Sequence, residues 1–178
     1  MKNLKKINLL VISLFSLSSI AIENIAVIDM RTAVLATQAA DNAFKALNED
    51  ATYAANVEEA QTLQAERQAI AENFEKNRET LSQEEIAKMQ KDIQDKGKDL
   101  EFIASKIQQA QEETIQKLFA ENSASMQKII SELIQAKEIK ILFQKSESIL
   151  FSDVAIDLTD DVTSMMDVAA SEANTQSE

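Results

Sequence analysis

The feature that most constrains the fold is one long stretch, residues 32–136, whose composition favours helix almost throughout. Its first half, up to residue 80, consists mostly of Ala, Glu, Gln, Asn, Lys and Leu. The whole sequence contains no Pro and a single Gly, Gly97. Because Pro and Gly are the residues that most disfavour a helix interior, this composition indicates helix strongly. The fold class is therefore predicted to be mainly α.

The apolar periodicity of this stretch predicts a hairpin of two helices. Apolar residues recur every three or four positions on both sides of "RETLSQEE", as in an antiparallel coiled coil. Ser82 and Glu85 have the spacing of a capping box that opens a new helix, which places the tip near residues 79–82. In this hairpin Arg67 would lie opposite Lys96, a like-charge pair that predicts a loose middle. Facing residues have numbers that sum to about 163: Phe74 with Met89, Ile70 with Ile93, Leu63 with Leu100, and Ala60 with Ile103.

The two ends of the chain have the alternating pattern of strands. "ENIAVIDM" predicts one buried strand at residues 25–30. "EIKILFQ" and "ESILFSD" each place apolar residues on one face and are separated by a short polar stretch, which predicts a β-hairpin. A lone strand leaves its backbone unpaired, so we expect the first strand to pair with this hairpin. The helical hairpin brings the two chain ends together.

A short helix and a tail are predicted after these strands. Thr159 is a favourable N-cap, and Asp160 and Asp161 follow in the first turn, where the helix dipole favours anions. Val162 and Met166 lie on its apolar side. The last residues, 170–178, are predicted to be disordered.

Residues 22–31 and 137–169 together form a predicted β-rich body that is small and has no Cys to form disulfides. A domain of this size is marginal alone and often oligomerises. Its strands carry apolar residues on both faces and leave open edges, which association would cover. We therefore expect a homo-oligomer, with the number of subunits left open. The expected contact residues are Ile25, Val27, Ile28, Ile139, Ile141, Phe143, Ile149 and Phe151.

Residues 1–21 have the features of a secretory signal peptide. Three lysines precede a short apolar run, and small residues follow, which predicts cleavage near Ala21. The alternative is a retained membrane anchor, but the run is shorter than the ~20 apolar residues that span a bilayer. We expect the mature chain to function outside the cytoplasm, in a bacterial periplasm.

Composition excludes several classes of function. With no Cys and no His, the chain lacks thiol nucleophiles, Ser-His pairs and the usual zinc sites, and it has no glycine-rich phosphate loop. Without the three signal-peptide lysines, 15 basic residues stand against 30 acidic ones, a net charge of −15 that repels nucleic acid. We predict no cofactor and no enzymatic activity. A metal-dependent enzyme built on carboxylates lacks a compact cleft here.

The order of these segments resembles the Skp/OmpH family of periplasmic chaperones. The resemblance spans the mature chain and rests on "IAVIDMRTAVL", on "TLSQEE" at the hairpin tip and on "SILFSDVAIDLTDDV". It implies a jellyfish-like homotrimer with a shared β body and three helical arms around a cavity. It also implies an ATP-independent holdase that keeps unfolded outer-membrane β-barrel proteins from aggregating on their way to the outer membrane.

The chain departs from this family in charge. Family members are typically basic, whereas residues 72–101 contain nine acidic and six basic residues. We therefore carry over no lipopolysaccharide site, although a modest lysine cluster at Lys88, Lys91, Lys96 and Lys98 is a candidate for lipid contact. The candidate contacts of the arm with a client are Phe74, Leu81, Met89 and Phe102.

The alternative function is an adaptor, a structural coiled coil of the cell envelope that binds a folded partner. An adaptor would need a dense apolar stripe at the tip, whereas a holdase needs apolar exposure dispersed along its arms. The tip "NRETLSQEE" is polar apart from Leu81, which favours the holdase.

Overall fold

The computed structural model describes residues 24–175, so the predicted signal peptide lies outside the described residues. This part of the chain is mainly helical and has one small sheet. In chain order its elements are β1 (Ile25–Ile28), α1 (Met30–Leu35), α2 (Gln38–Glu49), α3 (Ala51–Asn77), α4 (Gln83–Ala136), β2 (Ile141–Gln144), a single 3-10 turn (Val154–Ile156) and α5 (Thr159–Thr175).

The sheet pairs the two ends of the chain in parallel. Ile25 lies opposite Ile141 and Ile28 opposite Gln144. Parallel strands need a long crossover connection, which helices α1 to α4 supply. The predicted β-hairpin is wrong: residues 145–153 form no strand, and β1 instead makes an isolated bridge through Val27 to Asp157. β1 therefore pairs on one side with β2 and on the other with Asp157.

Helices α3 and α4 form the antiparallel hairpin. The amide of Gln111 donates to the hydroxyl of Tyr53 across the pair at 2.8 Å, and Lys96 forms an ion pair with Glu66. Both contacts fit the predicted sum of about 163. The predicted capping box is present, because Ser82 accepts from the Glu85 N–H while the Glu85 carboxylate accepts from the Ser82 N–H. Helix α4 has 54 residues and is about 80 Å long.

The composition of the first arm of the hairpin predicts one continuous helix, but the structure shows three, α1 to α3. The arm breaks twice, at Thr37 and at Asp50, where each side chain accepts a hydrogen bond from the N–H three residues ahead. Short polar side chains compete with the helix for backbone hydrogen bonds and favour N-cap positions. Met30 likewise lies in α1 and not in the first strand, because Asp29 caps that helix.

The expected clash between Arg67 and Lys96 is also wrong. Lys96 turns to the carboxylate of Glu66, one residue before Arg67. The Arg67 side chain passes beside Gly97, with its Nε 3.8 Å from the point where a Cβ would stand. Lys96 therefore has an acidic neighbour that offsets its charge, and Arg67 lies beside the small residue.

The core lies at the base of the hairpin and is shared by β1, α1, α2, α5 and the C-terminal half of α4. In contrast, the distal arm buries only Tyr53 and Ile103. Its other apolar residues are half-buried or exposed. The core residues are Ile28, Ala33, Val34, Ala40, Leu118, Met126, Ile129, Leu133, Val162 and Met166.

Helix α5 differs from its prediction at both ends. Thr159 is its first residue and not a cap; its hydroxyl accepts from the Asp29 N–H at 3.0 Å and thereby ties α5 to β1. The helix continues to Thr175, so the predicted disordered tail is helical over residues 170–175. Val162 and Met166 are buried in the core, which anchors the helix from one side.

Candidate assembly surface and helical arm

One face of β2 leaves apolar side chains uncovered. Ile141 and Phe143 alternate along the strand and point the same way, and each is 47% exposed. Leu142, between them, packs against the core. On its outer edge β2 has no strand neighbour among the described residues. The body therefore presents an apolar face next to an open sheet edge.

Beyond β2, residues 146–156 form what we call the apolar loop. Both of its ends are fixed to β1: the Lys145 N–H donates to the Ile28 carbonyl at 2.7 Å, and the Leu158 N–H donates to the Val27 carbonyl at 2.9 Å. The loop carries the three most exposed large apolar side chains in the described part of the chain. They are Leu150, Phe151 and Val154, which are 97%, 85% and 83% exposed.

An ion pair closes the base of the apolar loop. Lys145 Nζ lies 2.6 Å from Asp157 Oδ2, and the Asp157 carboxylate also accepts from the hydroxyl and N–H of Thr159. Burial opposes the charge on Asp157, but these hydrogen bonds and the nearby ammonium hold the pKa of its carboxyl below the usual value. The same contact raises the pKa of Lys145. Both groups therefore stay charged at neutral pH.

The predicted oligomerisation residues lie in three different environments. Val27 and Ile28 are buried in the core of their own chain, whereas Ile25, Ile139 and Ile149 are half-buried. The exposed members are Ile141, Phe143 and Phe151.

Sequence reasoning missed Leu150 and Val154, the other exposed apolar residues of this surface. A signal was present in "SILFSDV", which has three consecutive apolar residues. In an alternating strand the middle one, Leu150, would point to the opposite face from its two neighbours.

The predicted client contacts of the arm are separated along its length. Leu81 and Met89 line one groove near the tip, together with Ile70 and Ala69. Phe74 is close to this groove in sequence and is half-buried. Phe102 lies more than three helical turns away and is 60% exposed. Lys106 places its ammonium 4.4 Å from the centre of the Phe102 ring. The arm therefore has a groove near the tip and an isolated aromatic ring farther along.

All four lysines of the predicted cluster are ion-paired. Three of them pair with Asp residues of α4 itself, and Lys96 pairs with Glu66 of α3. The pairs within α4 are Lys88 with Asp92 at 3.3 Å, Lys91 with Asp95 at 2.7 Å, and Lys98 with Asp95 at 3.6 Å. Exposed pairs of this kind contribute little stability, but they reduce the positive potential that anionic lipid would meet.

Within residues 24–175, no helix is both long enough and apolar enough to cross a bilayer. Over the same span, no three or more Asp or Glu side chains come together in a way that could hold a metal ion.

Comparison with known proteins gives a family. Residues 24–166 match the family model described as outer membrane protein (OmpH-like). Among solved structures, the chain is similar to a candidate outer membrane chaperone (OmpH-like) from Caulobacter crescentus CB15, with 19% identity, a TM-score of 0.46, and coverage of 84% of this chain and 86% of that one. No curated protein matches. Since the family model covers most of the sequence, this chain belongs to the OmpH-like family.

Proposed function

We propose that this protein is an ATP-independent holdase chaperone of the periplasm, which binds unfolded outer-membrane β-barrel proteins and prevents their aggregation. Membership of the OmpH-like family supports this function. The observation that carries it is the construction of the arm: α3 and α4 form a long hairpin whose large apolar residues are mostly half-buried. Such a surface offers many weak apolar contacts without an enclosed pocket.

The partial exposure of the arm suits a disordered client. A holdase must bind segments of varied sequence and release them without an energy source, which many weak contacts allow. We assign client contacts to Phe74, Leu81, Met89 and Phe102. Lipid contact is not part of the proposal, because each lysine of the tip cluster is already paired with a carboxylate.

The assembled form that we propose is a homotrimer, in which the bodies associate and the arms enclose a cavity. The exposed face of β2 and the apolar loop support association, since exposed apolar surface of this kind is unfavourable in water. The open edge of β2 could pair with a strand of another subunit. Val27 and Ile28 are not part of this surface, because the core of their own chain covers them.

The location that we propose, the periplasm, follows from the signal peptide predicted at residues 1–21. A holdase there must work without ATP, and its proposed clients must cross this compartment before they reach the outer membrane. The proposed location therefore agrees with the proposed function.

Light scattering tests the function directly. A urea-unfolded outer-membrane β-barrel protein is diluted into buffer with and without the chain, and aggregation is followed in the absence of ATP. We expect a trimer mass for the chain alone and suppression of aggregation in the mixture. A trimer that leaves the client to aggregate would contradict the holdase and favour the adaptor. A monomer would contradict the shared body.

Two matched variants test the assembly surface. Phe151→Glu places a charge in the apolar loop, and Val168→Glu makes the same kind of change at an exposed apolar position of α5. We expect Phe151→Glu to lower the mass measured by light scattering and Val168→Glu to leave it unchanged. Equal masses for the two variants and the wild type would show that the apolar loop lies outside the interface.

A further inference from the structure

The charges of the arm are unevenly compensated. Residues 51–136 contain 16 acidic and 10 basic residues. Six of the basic residues form ion pairs, and together these occupy five carboxylates. Among the residues that the structure describes, eleven acidic side chains of the arm therefore have no ion pair, against four basic ones. Those four are Arg67, Lys76, Arg78 and Lys106.

Phe102 stands out on this acidic surface. It is the one large apolar side chain of α3 and α4 that is mostly exposed to solvent. Its ring already holds a cation, the ammonium of Lys106, 4.4 Å from the ring centre. The face of an aromatic ring attracts ammonium and guanidinium groups through its quadrupole. Because Lys106 is an exposed and flexible side chain, another cation can take its place.

We infer that the arm selects basic segments of unfolded polypeptide, and that a Lys or Arg of the client replaces Lys106 over the Phe102 ring. This inference rests on the proposed holdase function and assigns the chemistry of its client segments. The uncompensated carboxylates attract a cationic segment at long range and repel an anionic one. Phe102 then provides a local contact that combines apolar area with the attraction of a ring for a cation.

Two peptides test the charge preference. They share one arrangement of Phe, Leu, Ser and Gly, and every fourth residue is Lys in one peptide and Glu in the other. Binding of each fluorescent peptide to the full chain is measured by anisotropy over a range of salt concentration. We expect the Lys peptide to bind more tightly, and its affinity to fall as salt screens the arm. The Glu peptide should bind more weakly, with an affinity that rises with salt.

Two substitutions of equal charge test the role of the ring. Lys106→Gln removes the cation from Phe102, and Lys117→Gln removes an exposed lysine of the same helix whose partner is Glu121. Both make the arm more acidic by one charge, but only the first frees an aromatic face. We expect Lys106→Gln to strengthen binding of the Lys peptide about two- to fivefold more than Lys117→Gln does. Phe102→Leu should weaken it by a similar factor.

The outcomes separate this inference from the holdase itself. If neither peptide binds and the β-barrel client still aggregates, the proposed function fails. If aggregation is suppressed but the Glu peptide binds as well as the Lys peptide, the holdase stands and the charge preference is overturned. If Lys106→Gln and Lys117→Gln act equally, Phe102 is not the contact for the client cation.

Discussion

Lys145 and Asp157, twelve residues apart in sequence, close the base of the apolar loop with an ion pair of 2.6 Å. The backbone N–H groups of Lys145 and Leu158 donate to consecutive carbonyls of β1, those of Ile28 and Val27. The two ends of the apolar loop are thus fixed to β1 at adjacent positions, while its apolar residues stay exposed. We expect this ion pair to determine where the loop is presented for assembly.

The first prediction concerns acid. The pKa of Asp157 is lowered in the folded chain, because the hydrogen bonds from Lys145 and Thr159 outweigh the effect of burial. Stabilisation by such a carboxyl is complete above its unfolded pKa of about 3.9 and is lost as the pH falls through the lowered folded pKa. We expect Asp157→Asn to reduce the loss of unfolding free energy between about pH 5 and pH 2. Urea unfolding at fixed protomer concentration measures this loss.

Asp99→Asn is the control for this prediction. Asp99 is an exposed residue of α4 for which the described part of the chain shows no ion pair. Its substitution makes the same chemical change, and we expect the acid dependence of the wild type to remain. If Asp157→Asn also leaves that dependence unchanged, the pair with Lys145 does not stabilise the fold.

The second prediction concerns the hydrogen bond between the two helices of the arm. The hydroxyl of buried Tyr53 accepts from the amide of Gln111 at 2.8 Å. Tyr53→Phe removes that acceptor and keeps the ring, so we expect a loss of about 0.5–1.5 kcal/mol in the free energy of unfolding. The loss should lie at the low end of this range, because Gln111 is exposed and its amide can turn to water.

A double-mutant cycle with Gln111→Ala isolates this contact. We expect Tyr53→Phe to cost less in the Gln111→Ala background than in the wild type, since the hydrogen bond is already absent. Equal costs in the two backgrounds would mean that Tyr53 stabilises the arm through its ring alone.

The arm could be predicted from sequence because its signals are local and agree with one another. The heptad pattern of α4 gives the seam, and the capping box at Ser82 gives the turn, so the pairing of facing residues follows. The breaks at Thr37 and Asp50 were missed because these residues are equally acceptable on an exposed helix face. The choice of a cap in place of a continuous helix depends on how α2 packs against the base, which periodicity does not contain.

The body was harder to predict because its pairing is long-range. The alternation in "EIKILFQKSESILF" fits a local β-hairpin, but β1 pairs with β2 and with Asp157 from far along the chain. Alternation placed Ile141 and Phe143 on one face, where both are exposed, but it did not give the exposure of Leu150, and the strand that it predicted for Phe151 is absent. In the arm, by contrast, local spacing is sufficient for some side-chain contacts. Lys88 and Asp92 are four residues apart on α4, a spacing that predicts an ion pair on a helix.

The third prediction concerns the hairpin tip. The Ser82 hydroxyl caps α4, and hydrogen bonds from Ser82 lower the pKa of Glu85. We expect Ser82→Ala to destabilise the first turn of α4 by about 1 kcal/mol. Because the tip lies far from the core, the change should appear as faster amide hydrogen exchange at residues 83–86, with little effect on global unfolding.

Ser123→Ala is the matched control for the tip. Ser123 lies inside α4, where its hydroxyl donates to the Ala120 carbonyl at 3.1 Å and caps nothing. Ala is the better helix former at such a position, so we expect this variant to be neutral or slightly more stable. Faster exchange in both variants would show that the change does not depend on the cap.

The fourth prediction is a stabilising substitution at the end of α4. Glu138 has a positive φ of 51°, and the Ile139 N–H donates to the Ile134 carbonyl at 2.9 Å, the bonding pattern of a Schellman motif. Gly takes this left-handed conformation without the strain that a Cβ introduces. We expect Glu138→Gly to raise the free energy of unfolding by about 0.5–1 kcal/mol, as measured by urea unfolding at fixed protomer concentration.

Glu138→Ala separates backbone strain from the loss of an acidic charge. Ala has the same Cβ as Glu, so it keeps the unfavourable contact in the left-handed conformation, and we expect no comparable gain. Lys137 and Lys140 flank this position, which means that removing the Glu138 charge alone should not stabilise the chain. If Ala stabilises as much as Gly, the gain comes from the charge or from helix propensity, and the left-handed geometry of Glu138 contributes no strain. If only Gly stabilises, the turn that leads from α4 into β2 has kept a non-glycine residue at a measurable cost in stability.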